Sequence, residues 1–225
     1  MIHDNAFVDA LAFLAILIPS IVLHELAHGW VAERFGDPTA RMAGRLTLNP
    51  VRHVDPMGSL VVPGLLALSG QTVFGWAKPV PVQPANFARP TGTMALVALA
   101  GPATNLALAL LIARLGPFVD LQAGGHRGVL LVSSLGIGLT GDSLAVRLAF
   151  GAMVLNAALA VFNMLPIPPL DGSRLVPLVL PPRGRALWAQ ASQYGFVVLL
   201  LLIFVFEGSL GFMADVIGWT VRLVV

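Results

Sequence analysis

Five long apolar stretches, parted by loops rich in Pro, Gly and Arg, confine this chain to folds whose helices cross or enter a lipid bilayer. They run from Phe7 to Leu23 and on through Trp30, from Gly58 to Phe74, from Thr93 to Leu115, from Leu144 to Leu165, and from Phe196 to about Trp219, the last interrupted by Glu207 and Gly208. A weaker stretch, Gly128 to Thr140, is glycine-rich and has only 13 residues, too few for a hydrocarbon core about 30 Å thick. Charged residues make up 11% of the 225 and mean hydropathy is +0.86, whereas an ordinary soluble domain is about a quarter charged. The expected fold class is an all-α polytopic membrane protein with about four full transmembrane helices, a re-entrant segment and a short edge-strand-like loop. Without internal repeats, residues 1–225 read as one membrane-embedded domain, with its core at about 7–174 and a C-terminal helix at about 195–220.

Composition also removes several kinds of chemistry. The absence of cysteine excludes disulfides, thiolate metal sites and cysteine nucleophiles, and leaves histidine and carboxylates as the strong metal ligands. The formal charge of +2 comes from scattered arginines rather than a basic run, so nucleic acid is not an expected partner. Met1-Ile-His-Asp-Asn lacks the positive start of a signal peptide, and cleavage after the first apolar run would discard the residues discussed next, so this segment is expected to be retained.

The first stretch carries His24-Glu25-Leu26-Ala27-His28. Ionisable groups in a spanning helix lose hydration, so three within five residues imply a shared purpose. Histidines at i and i+4 project from one helix face and can reach a single tetrahedral Zn²⁺. Glu25, about 100° round the helix from His24, reaches water at the ion without binding the ion itself and is the candidate general base. One Zn²⁺ per chain is the expected cofactor. Pro19 frees a backbone carbonyl one turn before it and kinks the span, which opens a water path towards the metal.

Catalytic zinc sites use three protein ligands and keep a fourth position open. Beyond residue 60 the acids are Asp120, Asp142, Asp171, Glu207 and Asp215, and the one histidine is His126, which like His3 reads as a solvated loop residue. Asp171 closes Asn163-Met-Leu-Pro-Ile-Pro-Pro-Leu-Asp-Gly172, where Pro166, Pro168 and Pro169 end the helix begun near Leu144. Unwound backbone at membrane depth persists only where protein buries it or where it lines a water-filled cavity, the setting a hydrolytic site needs. On the residues alone, an ordinary turn accounts for Asp171-Gly172 equally well.

HELAH ending one span, Gly101-Pro-Ala-Thr-Asn105 opening another and NMLPIPPLDG closing a third resemble the site-2 protease family of intramembrane zinc metalloproteases, over Ile16 to Arg174. The resemblance implies that His24, His28 and Asp171 hold the zinc and that Glu25 is catalytic. It also implies that Asn163 lies near the metal, where its amide could donate to a developing oxyanion, worth about 3 kcal/mol if aligned. A helix–helix hydrogen bond is the other reading of Asn163. Gly101 and Asn105, four apart, read as serving close helix packing. His53-Val-Asp-Pro-Met-Gly58 and Phe74-Gly-Trp-Ala-Lys-Pro-Val-Pro-Val82 are similar to a compact bacterial branch of that family, for which no PDZ or CBS domain is expected.

If one ion joins His28 to Asp171, the C-terminal ends of the first span and of the Leu144 span lie on the same side of the membrane. The Thr93 and Leu144 spans supply two crossings between them, so Gly58 to Phe74 enters and leaves on one side, with Pro63-Gly64 at its turn. The alternative makes both Gly58 to Phe74 and Gly128 to Thr140 full spans. Nine basic residues (Arg34, Arg41, Arg45, Arg52, Lys78, Arg89, Arg174, Arg183 and Arg185) then fall on the metal side and four (Arg114, Arg127, Arg147 and Arg222) opposite. By the positive-inside rule the metal side is cytoplasmic, in a bacterial inner or plasma membrane.

The expected function is an intramembrane zinc endopeptidase that cleaves transmembrane segments of membrane protein substrates. Its expected partners are that substrate and the lipid bilayer. The alternative is a metal-handling or transport protein using the same His/His/Asp site. Phe74, Gly75, Trp76, Ala77 and Lys78 read either as an edge strand that holds substrate extended or as a loop plugging the re-entrant segment. His53 and Asp55 either orient a metal ligand from behind or cap the turn ahead of Pro56. The lipid-facing Phe196 to Phe206 helix leaves association with a second copy open.

Overall fold

Lipid offers no partner to backbone N–H and C=O groups, so apolar stretches at membrane depth must close their hydrogen bonds internally, and these do so as helices. The computed structural model of the protein describes residues 6–68, 75–115, 132–133, 136–137, 144–204 and 211–224. Its helices are α1 (Ala6–Arg34), α2 (Thr39–Met42), α3 (Val62–Leu68), α4 (Pro90–Leu115), α5 (Leu144–Asn163), α6 (Val176–Val179), α7 (Pro182–Ser192), α8 (Gly195–Phe204) and α9 (Gly211–Val224). Two of them are long and apolar enough to cross a membrane, through Phe13–Arg34 and Pro90–Arg114; α7 and α8, bent by 60° to each other, add a third if taken as one span.

α5 has 20 residues, LAVRLAFGAMVLNAALAVFN, with Arg147 as its one charged residue. Of the C-terminal helix expected over about 195–220, the described residues are helical as α8 and α9, and residues 205–210, with Glu207 and Gly208, lie outside the described residues. The Gly58 stretch is helical from Pro56 to Val61 in wide, π-type turns and then through α3, and residues 69–74 lie outside the described residues. Asp55 starts it, accepting from the Gly58 N–H at 2.7 Å. Within the weak Gly128 to Thr140 stretch, β1 (Val132–Ser133) pairs antiparallel with β2 (Gly136–Ile137), and the remainder lies outside the described residues.

Three helices frame the interior. His24 meets Asn105 while His28 meets Val97, so α1 and α4 run antiparallel. Ser20 meets Asn156 below, and Asp171 meets both histidines above, so α5 runs parallel to α1. Ala109, Met153, Val154 and Ala157 form a buried core with Ile217 and Val221 of α9. Exposed Leu14, Ile18, Leu106, Leu110, Val197 and Leu201 on α1, α4 and α8 suit contact with lipid.

Residues 75–83 run extended without regular ladder pairing. The N–H groups of alternate residues point one way, as the two-residue period of extended chain requires: Trp76 donates to the Gly58 carbonyl (3.0 Å), Lys78 to the His53 carbonyl (2.9 Å) and Val80 to the Glu25 carboxylate (2.7 Å). Phe74, the first residue of the expected edge strand, lies outside the described residues.

Candidate metal centre

His24 and His28 lie one turn apart on α1, buried to 7% and 8% exposure, with their rings edge to face and centroids 4.7 Å apart. Asp171 reaches them from the far end of α5. After Asn163 the chain meets Pro166, Pro168 and Pro169, none of which can donate a helical hydrogen bond, and it folds back on itself. Gly172 makes the fold-back possible, because a Cβ there would stand 2.1 Å from the Met164 carbonyl oxygen. The Ser173 hydroxyl donates to the Leu170 carbonyl at 2.6 Å, and Trp188 of α7 donates to the Ser173 carbonyl at 3.2 Å, so the loop is tied on both sides.

The outcome is a triangle: His24 Nε2 to His28 Nε2 is 3.0 Å, and Asp171 Oδ2 lies 3.1 and 3.3 Å from the two. Ligands about 2.0–2.1 Å from a tetrahedral centre are about 3.3 Å apart, so the three atoms nearly match one face of a tetrahedron. Their protonation fits too. His28 Nδ1 faces the Val97 carbonyl at 2.7 Å, which can only accept, and His24 Nδ1 faces Asn105 Oδ1 at 2.5 Å. Both neutral rings therefore carry their proton on Nδ1 and turn a lone pair inwards. Asp171 Oδ2 is buried with no hydrogen-bond partner. Three lone pairs converging without a proton between them repel one another, and a divalent cation removes that conflict. Among the described residues this is the one group of His, Cys, Asp or Glu side chains close enough to share a metal ion.

The Oε2 of Glu25 accepts the Val80 N–H. Beside it lies Arg45, 6% exposed, whose Nη2 donates to the Lys78 carbonyl. Burial, opposed by the neighbouring Glu25 charge, holds the Arg45 guanidinium below its ordinary pKa. Residues 78 and 80 are thus clipped between a buried cation and the candidate base. Nothing in the sequence beyond a loop arginine pointed to this role.

The remaining candidates occupy different settings. Asn163 ends α5 with its Nδ2 donating to the Leu159 carbonyl at 3.0 Å. His53 is buried, its Nε2 bonded to the Thr47 carbonyl at 2.9 Å, and Asp55 caps the turn at Pro56. Among the described residues no hydrogen bond joins His53 or Asp55 to His24, His28 or Asp171. Gly75 to Lys78 leads into the stretch that crosses Glu25, and Trp76 packs edge to face on Phe196 of α8 at 5.2 Å. Sequence reasoning assigned Gly101 and Asn105 to packing, yet both touch the histidines, and it passed over Asn156 and Ser20 altogether.

The family model described as Peptidase family M50 matches residues 12–206. A Bacillus subtilis protein named "Putative zinc metalloprotease YwhC" is 41% identical over 194 residues, 86% of this chain and 80% of its own. Two proteins named "Putative zinc metalloprotease Rip2" are also similar. That of Mycobacterium tuberculosis (strain ATCC 25618 / H37Rv) is 40% identical over 81% of this chain and 62% of its own length, and that of Mycolicibacterium smegmatis is 37% identical over 82% and 63%. No solved structure matches.

Proposed function

The chain belongs to peptidase family M50, and on that basis we propose that it is an intramembrane zinc endopeptidase that cleaves transmembrane segments of membrane protein substrates. The observation that carries the reading is the convergence of His24 and His28, on a helix apolar enough to cross a bilayer, with Asp171 from the loop beyond α5 in one triangle. In this reading those three residues hold one zinc ion and Glu25 is the general base. The apolar helices also make this a membrane protein.

Zinc, when bound, supplies Lewis acidity that lowers the pKa of water towards about 7 and polarises a scissile carbonyl. Glu25 takes a proton from the attacking water and delivers it to the leaving amine as the C–N bond breaks, so one proton passes from oxygen to nitrogen. The Val80 N–H holds Oε2 and leaves Oε1 for that transfer. The Asn163 amide, released from the Leu159 carbonyl, donates to the developing oxyanion. The extended segment from Gly75 to Lys78 holds the substrate backbone open, since a helical substrate hides its carbonyls.

The topology proposed is four full spans with the segment after Pro56 re-entrant, and the metal side facing the cytoplasm across a bacterial cell membrane. The antiparallel run of α4 and the return of α5 support the even number of crossings between His28 and Asp171. The nine-to-four excess of basic residues supports the orientation.

The test is zinc content and cleavage of single-span substrates by the full chain purified in detergent. Glu25→Gln should lose cleavage by at least 10³-fold while keeping about one zinc per chain. A zinc-loaded wild type that cleaves no substrate, with zinc crossing proteoliposomes instead, would favour the transport reading.

A further inference from the structure

His24 is held from behind by a chain of buried side chains that no catalytic argument has used. Its Nδ1–H donates to Asn105 Oδ1 at 2.5 Å, and Asn105 Nδ2 donates onwards to Asn156 Oδ1 at 2.8 Å and to the Ser20 carbonyl at 3.4 Å. Asn156 Nδ2 donates in turn to Ser20 Oγ at 2.9 Å and to the Ala152 carbonyl at 2.8 Å, and the Ser20 hydroxyl ends the chain on the Ile16 carbonyl at 2.8 Å. Asn105, Asn156 and Ser20 are 0%, 2% and 4% exposed and come from α4, α5 and α1.

The direction of this chain is forced. The Ser20 and Ala152 backbone carbonyls can only accept, so the amide nitrogens of Asn105 and Asn156 must be the atoms facing them. That leaves Asn105 Oδ1, an acceptor, against His24, and an acceptor there demands the Nδ1–H tautomer with the Nε2 lone pair turned towards Asp171. A flipped Asn105 amide would put N–H against N–H at His24 and oxygen against oxygen at both Asn156 and Ser20. His28 needs no such device, because the Val97 carbonyl fixes its tautomer directly.

We propose that Asn105 is a positioning residue that locks His24 in its metal-binding tautomer and orientation, and that Asn156 and Ser20 act through it by locking the amide. The proposal rests on the reading of His24, His28 and Asp171 as zinc ligands. Partners behind a metal-binding histidine typically change metal affinity by 10- to 100-fold.

The experiment is zinc affinity by chelator competition on the full chain in detergent, with the visible spectrum of the cobalt-substituted protein as a report on ligand geometry. Asn105→Leu should bind zinc 10- to 100-fold more weakly and alter the cobalt bands. Asn156→Leu should weaken binding by a smaller factor, and Ser20→Ala by less again. The Asn105→Leu/Asn156→Leu pair should bind no more weakly than Asn105→Leu alone, because the second residue acts only through the first. Zinc affinity within twofold of wild type and an unchanged cobalt spectrum in Asn105→Leu would overturn the proposal; if that variant does not fold, the same result in Asn156→Leu does so. Fully additive losses would overturn it as well. A wild type that fails to bind one zinc is a separate outcome that removes the ligand reading, and this inference with it.

Discussion

A methyl group built on Gly101 would stand 2.5 Å from Nε2 of both His24 and His28. Backbone of α4 therefore forms a wall of the metal triangle, and any larger residue must push the imidazoles off their positions. Overpacking of this kind costs about 1–3 kcal/mol in a close-packed interior. Gly101→Ala is expected to lose at least tenfold in zinc affinity, on the order of 1.4 kcal/mol, with helix content retained. Metal analysis after dialysis against a weak chelator, alongside circular dichroism, checks it; full zinc retention would show that α4 yields instead. In the sequence this glycine, four before Asn105, reads as a close-packing position only, because proximity to a ligand leaves no local pattern. The HExxH histidines differ: their spacing alone puts both on one face, and the inference needs nothing beyond α1.

The segment that crosses Glu25 is anchored at its far end by Asp37, which is fully buried just beyond α1. Its carboxylate accepts from the Thr39 N–H (3.1 Å), the Thr39 hydroxyl, the Gln83 N–H (2.6 Å) and the Asn86 amide (2.7 Å). Burial pushes its pKa up, but these hydrogen bonds more than offset that and hold it below the usual carboxylate range. A depressed carboxyl stabilises the fold above its unfolded pKa of about 3.9, and that contribution fades as pH falls through the lower folded value. Asp37→Ala should cost about 3 kcal/mol near neutral pH, since it strands several buried donors, and its stability should depend less on pH below about 4 than that of the wild type. Denaturant titrations at pH 7 and pH 3.5 decide; equal losses at both would remove the role given to the charge. The long helices were legible because apolar runs of 20 or more residues admit few other structures in lipid. The extended course of 75–83 depends on packing against other elements and left only the prolines as local hints.

The proposed orientation makes a prediction about the entire chain. It contains no cysteine, so single cysteines report their side of the membrane without background. Met42→Cys, at a position 81% exposed at the end of α2, should be shielded from an impermeant thiol reagent in intact cells, whereas Arg114→Cys at the end of α4 should react. The reverse pattern would invert the topology and place the metal side outside. Hydropathy, charge placement and the HExxH spacing are readable along the chain because each depends on near neighbours, and together they point to a membrane metallopeptidase. The Asn105–Asn156–Ser20 chain, the grip of Val80 and Arg45 around Glu25 and the wall at Gly101 became visible only once α1, α4 and α5 were packed. Those contacts join residues as many as 136 positions apart, and their hydrogen bonds and clearances are set by interhelical distance rather than by any periodicity in the residues.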